Sequence, residues 1–267
     1  MAEKKSWHKT EQLNEDTWRI IEGDIISCYL LLGEERAMLI DTGNGMGNIG
    51  AQVTAITDLP VTVALTHRHC DHAGGRRWFP FPAHVHEADM TIIGALASCG
   101  LSSRVLAAKW TTSKDFLKKP YNAGYTAITD GAEFDLGGRV VRVISLPGHT
   151  PGSVAYLDEK HKMLFGGDNI MGSEIWLFVP GALSVEEWVH AVERVRELCD
   201  EYTPYSGHGA GLLTVEQIDL LIRKGKALME TKRNRLFRGK KTYEGEGGGA
   251  VIIYNPARIH AKKKNRR

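Results

Sequence analysis

Four side chains able to ligate a metal fall within six residues: His67, His69, Asp71 and His72, in Thr66-His67-Arg68-His69-Cys70-Asp71-His72-Ala73-Gly74-Gly75. Imidazoles with a carboxylate suit zinc, iron or manganese, whereas calcium takes mostly oxygen. The preceding run Val61-Thr62-Val63-Ala64-Leu65 is apolar and β-branched, which predicts a strand that delivers the chain to this point. A loop then presents His67 and His69, and Asp71 and His72 fall at the start of a helix. Gly74-Gly75 lets the backbone pass close by.

Three later segments repeat the design. The predicted strand 140–146 ends in Pro147-Gly148-His149-Thr150-Pro151-Gly152-Ser153, strand 162–165 in Gly166-Gly167-Asp168, and strand 203–206 in Gly207-His208-Gly209. Each time an apolar strand stops, glycine permits an unusual backbone, and one ligand-type residue appears. Strands of a common core that end this way can converge at one edge of the sheets. Seven such residues are too many for one tetrahedral zinc and suit two metals.

The complete HxHxDH motif, with His149, Asp168 and His208 downstream, resembles the metallo-β-lactamase-fold hydrolases, in the broad glyoxalase II-like branch, over residues 17–214. The resemblance implies an α/β protein built as a four-layer αβ/βα sandwich, with two sheets back to back and helices outside. It implies two zinc ions, with iron or manganese as alternatives. His67, His69 and His149 would hold the first metal, Asp71, His72 and His208 the second, and Asp168 would bridge. A hydroxide between the metals would be the nucleophile, since two cations lower the pKa of a shared water. Asp71 would orient that water or accept its proton. Asp41, at a strand end beside Gly43, resembles the family's buried aspartate that hydrogen-bonds the ligand loops, with Thr66, Thr150 and Ser153 as further candidates for that task.

The expected reaction is hydrolysis of a small-molecule thioester, ester or lactone. Three relatives fit less well: flavodiiron proteins carry Glu where His69 stands, B1 β-lactamases carry Cys at the position of Asp168, and nucleases with a β-CASP insertion need a longer chain. Two alternatives stay open, a phosphodiesterase or nuclease with the same metals, and an oxidoreductase like the persulfide dioxygenases, with one iron. A purely structural zinc module is disfavoured, because a structural site is closed and needs no second metal.

The 267 residues are 42% hydrophobic and 25% charged, ordinary for a soluble globular chain. No apolar run approaches membrane-spanning length, and residues 1–10 have no signal-peptide core. Cys28, Cys70, Cys99 and Cys199 are scattered without a CxxC pair, which reads as reduced thiols in a cytoplasmic protein. Cys70 is expected to pack behind the ligand loop. The net charge of +2 hides an asymmetry. Between 223 and 267, 15 lysines and arginines face three glutamates, so that end carries +12 and the rest −10. Such a segment could attract nucleic acid, but a solvated helix face with a frayed tail is the expected reading. Truncation after Gly239 would then leave turnover intact.

The remaining elements follow from pattern. Strands are expected at 17–21, 25–32, 37–40, 83–85 and 250–254. Helices are expected ending before Pro60, at 87–97, from a capping box at Ser184-Val185-Glu186-Glu187 to about 199, and at 214–232. One hydrolase domain covers 1–240, followed at 241–267 by a Gly-rich loop, a short strand and a basic tail. The weak pattern at 101–125 suggests a lid or insertion. Trp176 and Phe178 are candidates for a substrate wall, as are Trp110, Phe116, Tyr121 and Tyr125 from that segment. His84 and His86 are expected to be structural, and His8, His161, His190 and His260 to lie at the surface.

Overall fold

The computed structural model describes residues 7–90, 124–231 and 239–261. A seven-stranded sheet runs in chain order through β1 (His8–Asn14), β2 (Thr17–Glu22), β3 (Ile26–Leu32), β4 (Ala37–Ile40), β5 (Val61–Ala64), β6 (Ala83–His86) and β7 (Tyr125–Ile128). Pairing is antiparallel up to β4 and parallel from there to β7. A second sheet contains β8 (Glu133–Asp135), β9 (Val140–Ser145), β10 (Val154–Asp158), β11 (Met163–Phe165) and β13 (Thr203–Tyr205). A third is formed by β12 (Glu174–Leu177), β15 (Val251–Tyr254) and β14 (Lys241–Tyr243), in that spatial order. The helices bearing on the site are α1 (Ile49–Ile56), α2 (Cys70–Ala73), α3 (Val185–Leu198) and α4 (Val215–Met229).

The layers follow from side-chain alternation. On β3, Tyr29 and Leu31 face a core shared with Val143, Tyr156 and Phe165 of the second sheet. Their neighbours Cys28 and Leu30 face the opposite way, against Ile49 and Val53 of α1. With period two along a strand, burial on both faces puts the sheet inside the molecule and gives β3 its unbroken apolar sequence. The far face of the second sheet is covered by α3. Its Val185, Trp188, Val189, Val192 and Val195 recur at helical spacing and are buried with Leu157 and Leu164. Ser184 and Glu187 form the expected reciprocal capping box. The result is helix, sheet, sheet, helix, as expected.

Several elements differ from expectation. β1, β7, β8, β12 and β14 are strands that the sequence pattern did not mark, because most are short or polar on an exposed face. Of the helix expected at 87–97, the described part is one 3-10 turn, Glu87–Asp89. His8 is not at the surface: it lies buried on β1, 3.6 Å from Glu22. His161 is half-buried beside Asp16 at 2.7 Å. His84 and His86 are structural, against the Phe134 ring and the Ser145 hydroxyl respectively. The stretch after Gly239 is no frayed tail as far as it is described. β15 pairs with β12, and Ile252, Tyr254 and Ile259 are buried in the core under α3. Among the described residues no helix is long and apolar enough to cross a membrane, and Cys28, Cys70 and Cys199 form no disulfide.

Candidate metal centre

The chemistry-bearing side chains stand where strands end. His67 and His69 occupy the loop after β5, and α2 immediately supplies Asp71 and His72. His149 follows β9, Asp168 sits in the 3-10 turn Gly167–Asn169 after β11, and His208 follows β13. Loops from both large sheets therefore meet in one place. All seven residues singled out from the sequence come together there, as two groups: His67, His69 and His149, and Asp71, His72, Asp168 and His208. Within each group the potential ligand atoms lie within 4.8 Å of one another.

The first group is tight. Nδ1 of His69 and Nε2 of His149 are 2.8 Å apart, and the His67 ring centroid is 4.7 Å from that of His69 and 4.8 Å from that of His149. In the second group His72 Nε2 lies 3.3 Å from His208 Nε2 and 3.2 Å from Asp168 Oδ1, while Asp71 Oδ2 is 3.4 Å from His208 Nε2. Asp168 reaches both groups, since its Oδ2 stands 3.7 Å from His149 Nε2.

These residues fit divalent cations. Nε2 of His67 and Oδ1 of Asp168 are buried with no hydrogen-bond partner, a costly condition that a cation relieves. Charge divides in the same way as geometry. Burial, and after it the neighbouring imidazoles, lower the pKa of His67, and burial with His69 pushes His149 down to about 4. The first group is thus neutral and ready to donate lone pairs. In the second group burial also opposes charge on the imidazoles. The carboxylates of Asp168, Asp41 and Asp71 overcome it at His72, and those of Asp168 and Asp71 push His208 up to about 10. Burial likewise resists ionisation of Asp168, but His208 and His72 hold its carboxyl below the usual range. The second group gathers positive charge, and a divalent cation supplies it in place of protons.

Supporting contacts fix these side chains. Asp41 is buried in the left-handed region at φ 61°, an unusual backbone for a non-glycine residue. Its carboxylate accepts from His72 Nδ1 at 2.8 Å, from Thr66 N at 2.8 Å and from Thr66 Oγ1 at 2.7 Å. Thr66 Oγ1 also stands 3.2 Å from His67 Nδ1. The expected roles of Asp41 and Thr66 thus have the geometry they need. Glycine is required at two approaches: a Cβ on Gly75 would strike the Thr42 carbonyl, and one on Gly207 would lie 2.8 Å from Asp168 Oδ1 and from His72 Cε1.

Asn169 is a contributor that no spacing or motif in the sequence marks. Its side-chain oxygen accepts from the His149 backbone N–H at 2.8 Å, and its amide donates to the Leu146 carbonyl. Trp176, expected as a substrate wall, contributes a backbone atom, for its carbonyl accepts from His149 Nδ1 at 2.8 Å. Trp176 as a whole is 42% exposed, and its ring lies 5.4 Å from that of Phe178. The Arg68 and Arg76 guanidinium groups both lie over the Tyr125 ring, at 4.2 and 4.1 Å from its centroid. Trp110, Phe116 and Tyr121, like the lid expected from 101 onwards, fall at positions outside the described residues. Cys70 is half-buried as the first residue of α2.

A sandwich whose strand ends gather two adjoining clusters of histidine and aspartate defines a class of metal-site scaffold. The chain belongs to the metallo-beta-lactamase superfamily, whose sequence profile matches residues 21–208. Among its relatives, the acyl-coenzyme A thioesterase MBLAC2 of Gallus gallus is 26% identical over 200 residues, 67% of this chain and 69% of the relative. An atrochrysone carboxyl ACP thioesterase of Aspergillus fumigatus is 27% identical over 235 residues, 84% of this chain and 64% of the relative. A metallo-beta-lactamase from Pontibacter korlensis has the same fold, with a TM-score of 0.60 at 19% identity over 82% of this chain and 99% of that one. The chain is therefore similar to hydrolases, thioesterases among them, of this superfamily.

Proposed function

We propose that this protein is a dinuclear metal-dependent hydrolase of acyl thioesters, related to the glyoxalase II-like branch and working in the cytoplasm on small-molecule substrates. His67, His69 and His149 would hold one zinc ion and Asp71, His72 and His208 the other, with Asp168 between them. Iron or manganese are the alternatives. The observation that carries this reading is the pair of adjoining clusters with His67 Nε2 and Asp168 Oδ1 left without hydrogen-bond partners. Two relatives named as thioesterases favour the thioester over the ester or lactone. Once bound, two divalent cations lower the pKa of a shared water and polarise an acyl carbonyl.

The protein's own residues divide the remaining work. The Asp71 side chain is 30% exposed against 7% for Asp168, so Asp71 is the carboxylate that water reaches. It orients the attacking water or takes its proton. Asp168 stays buried and sets the spacing of the clusters. Asp41 holds the His72 imidazole with Nδ1–H toward the carboxylate, which leaves Nε2 as its ligand atom.

The test is metal analysis of the purified chain, followed by a rate comparison on an acyl-coenzyme A thioester, a lactone, a β-lactam and bis-p-nitrophenyl phosphate. Two zinc equivalents and fastest thiol release from the thioester are expected. Faster phosphodiester cleavage, or a single iron with oxygen uptake on a persulfide, would overturn the proposal in favour of a nuclease-like or dioxygenase-like enzyme.

A further inference from the structure

Asp89 ends the 3-10 turn after β6 and is 3% exposed. Its side chain links two loops that are distant in sequence. Oδ2 accepts from the backbone N–H of Arg68 at 3.1 Å and from Thr150 Oγ1 at 2.9 Å, and Oδ1 accepts from Gly152 N at 2.8 Å. Its own carbonyl accepts from the Arg68 guanidinium at 3.0 Å. Arg68 lies between His67 and His69, and Thr150 and Gly152 follow His149. One buried carboxylate therefore ties together the two loops that supply all three histidines of the first cluster.

The contact is built for close approach. A Cβ on Gly152 would stand 2.6 Å from Asp89 Cγ, so the loop can reach the carboxylate only as glycine. Ser153 Oγ accepts from Thr150 N at 3.0 Å and stands 2.9 Å from Thr150 Oγ1, which holds that hydroxyl in place beside Asp89. The second cluster depends on other supports. His72 is held by Asp41, and the His208 loop is pinned by Ser27 N donating to the Gly207 carbonyl and Gly209 N donating to the Ile25 carbonyl.

We propose that Asp89 is the positioning residue dedicated to the three-histidine cluster, whereas Asp41 holds His72 of the other cluster and, through Thr66, also steadies His67. Asp89 keeps the His67–His69 loop and the His149 loop at the separation one cation requires. The assignment rests on the two-metal reading of the site and adds a division of labour to it. Asp89 bonds to the loops of the first cluster, whereas Asp41 reaches side chains of both. Loss of such an outer contact typically weakens metal binding 10- to 100-fold.

The test is a zinc titration of the full chain against a chromophoric chelator, comparing wild type with Asp89→Asn, Thr150→Val and Asp41→Asn. Histidine ring NMR signals identify which cluster each equivalent occupies. Asp89→Asn is expected to weaken the His67–His69–His149 equivalent by at least tenfold and leave the other within about twofold. Thr150→Val removes one donor and should act in the same direction by less. Asp41→Asn, which loosens His72 directly and His67 through Thr66, should weaken both equivalents. Thr150→Val also decides the matter if Asp89→Asn does not fold. Two wild-type equivalents with unchanged binding in the Asp89 and Thr150 variants, or equal weakening of both equivalents, would overturn the assignment alone. A wild-type chain that takes up no zinc, iron or manganese would overturn the metal reading itself.

Discussion

Nδ1 of His149 donates to the backbone carbonyl of Trp176 at 2.8 Å, so a strand outside the two main sheets orients an imidazole of the candidate metal centre. That strand, β12, takes its neighbour from the far end of the chain, because Glu174 to Leu177 pair in parallel with Val251 to Tyr254. The position of a candidate ligand and the integrity of the C-terminal segment are linked through one hydrogen bond.

Truncation after Gly239 is therefore expected to damage the protein. It removes β14 and β15 and with them Ile252 and Ile259, each worth about 1.5–3 kcal/mol when fully buried. It also strips the buried Lys224 ammonium of its acceptors, the Gly248 and Ala250 carbonyls. Against a typical stability of about 5–15 kcal/mol the loss is large. Thermal melting should show a strongly lowered or absent cooperative transition. Melting at the wild-type temperature would show that the segment is dispensable.

Asn169→Ala should destabilise without removing any proposed ligand side chain. The change leaves the His149 N–H and the Leu146 carbonyl buried and unpaired, at about 1–3 kcal/mol each. Asn169 is fully buried, so water does not replace the lost partners readily. Denaturant unfolding should register a midpoint shift of that size. A change under about 0.5 kcal/mol would mean the loop relaxes at little cost.

The candidate ligands were legible because four of them crowd into six residues after an apolar run, and His149, Asp168 and His208 each sit beside glycine at the end of such a run, where strands of one core can converge. The inner strands were legible because burial on both faces writes a continuous apolar sequence, as in β3. β1 and β14 were not, since their burial patterns are mostly exposed and their residues polar. The partners that hold the candidate ligands were also hidden. Asn169 and Asp89 act through bonds to residues 20 or more positions away, and a lone amide or carboxylate carries no spacing signal. The Trp176 contribution is a carbonyl, which any residue possesses. His8 departs from its expected surface position because a buried histidine in a polar stretch has no pattern to mark it.

Glu22 gives a pH-dependent stability. It is fully buried on β2, and burial pushes its pKa up to about 7 even though Asn44 N and Gly47 N donate to its oxygens at 2.6 and 3.2 Å. The native state keeps a proton that the unfolded chain releases above pH 4.5. The contribution is thus fully present below that value and lost as pH rises through about 7, on the order of 3 kcal/mol in all. Glu22→Gln removes this dependence. The stability of wild type relative to that variant should fall between pH 4.5 and 7 and then level off. A flat difference in urea unfolding across that range would show that Glu22 does not titrate there.

Asp168→Ala tests the bridge. Oδ1 of Asp168 faces His72 and His208 at 3.2 and 3.4 Å, and Oδ2 faces His149 at 3.7 Å, so one carboxylate serves both clusters. A residue serving only one would release one metal when removed. Asp168→Ala should instead weaken both zinc equivalents by at least tenfold and reduce thioester turnover with them. Circular dichroism should remain near wild type, because Asp168 is placed by the backbone of its 3-10 turn and not by its own side chain. Retention of two zinc equivalents with full turnover would remove the bridging role, and loss of one equivalent alone would assign Asp168 to a single cluster.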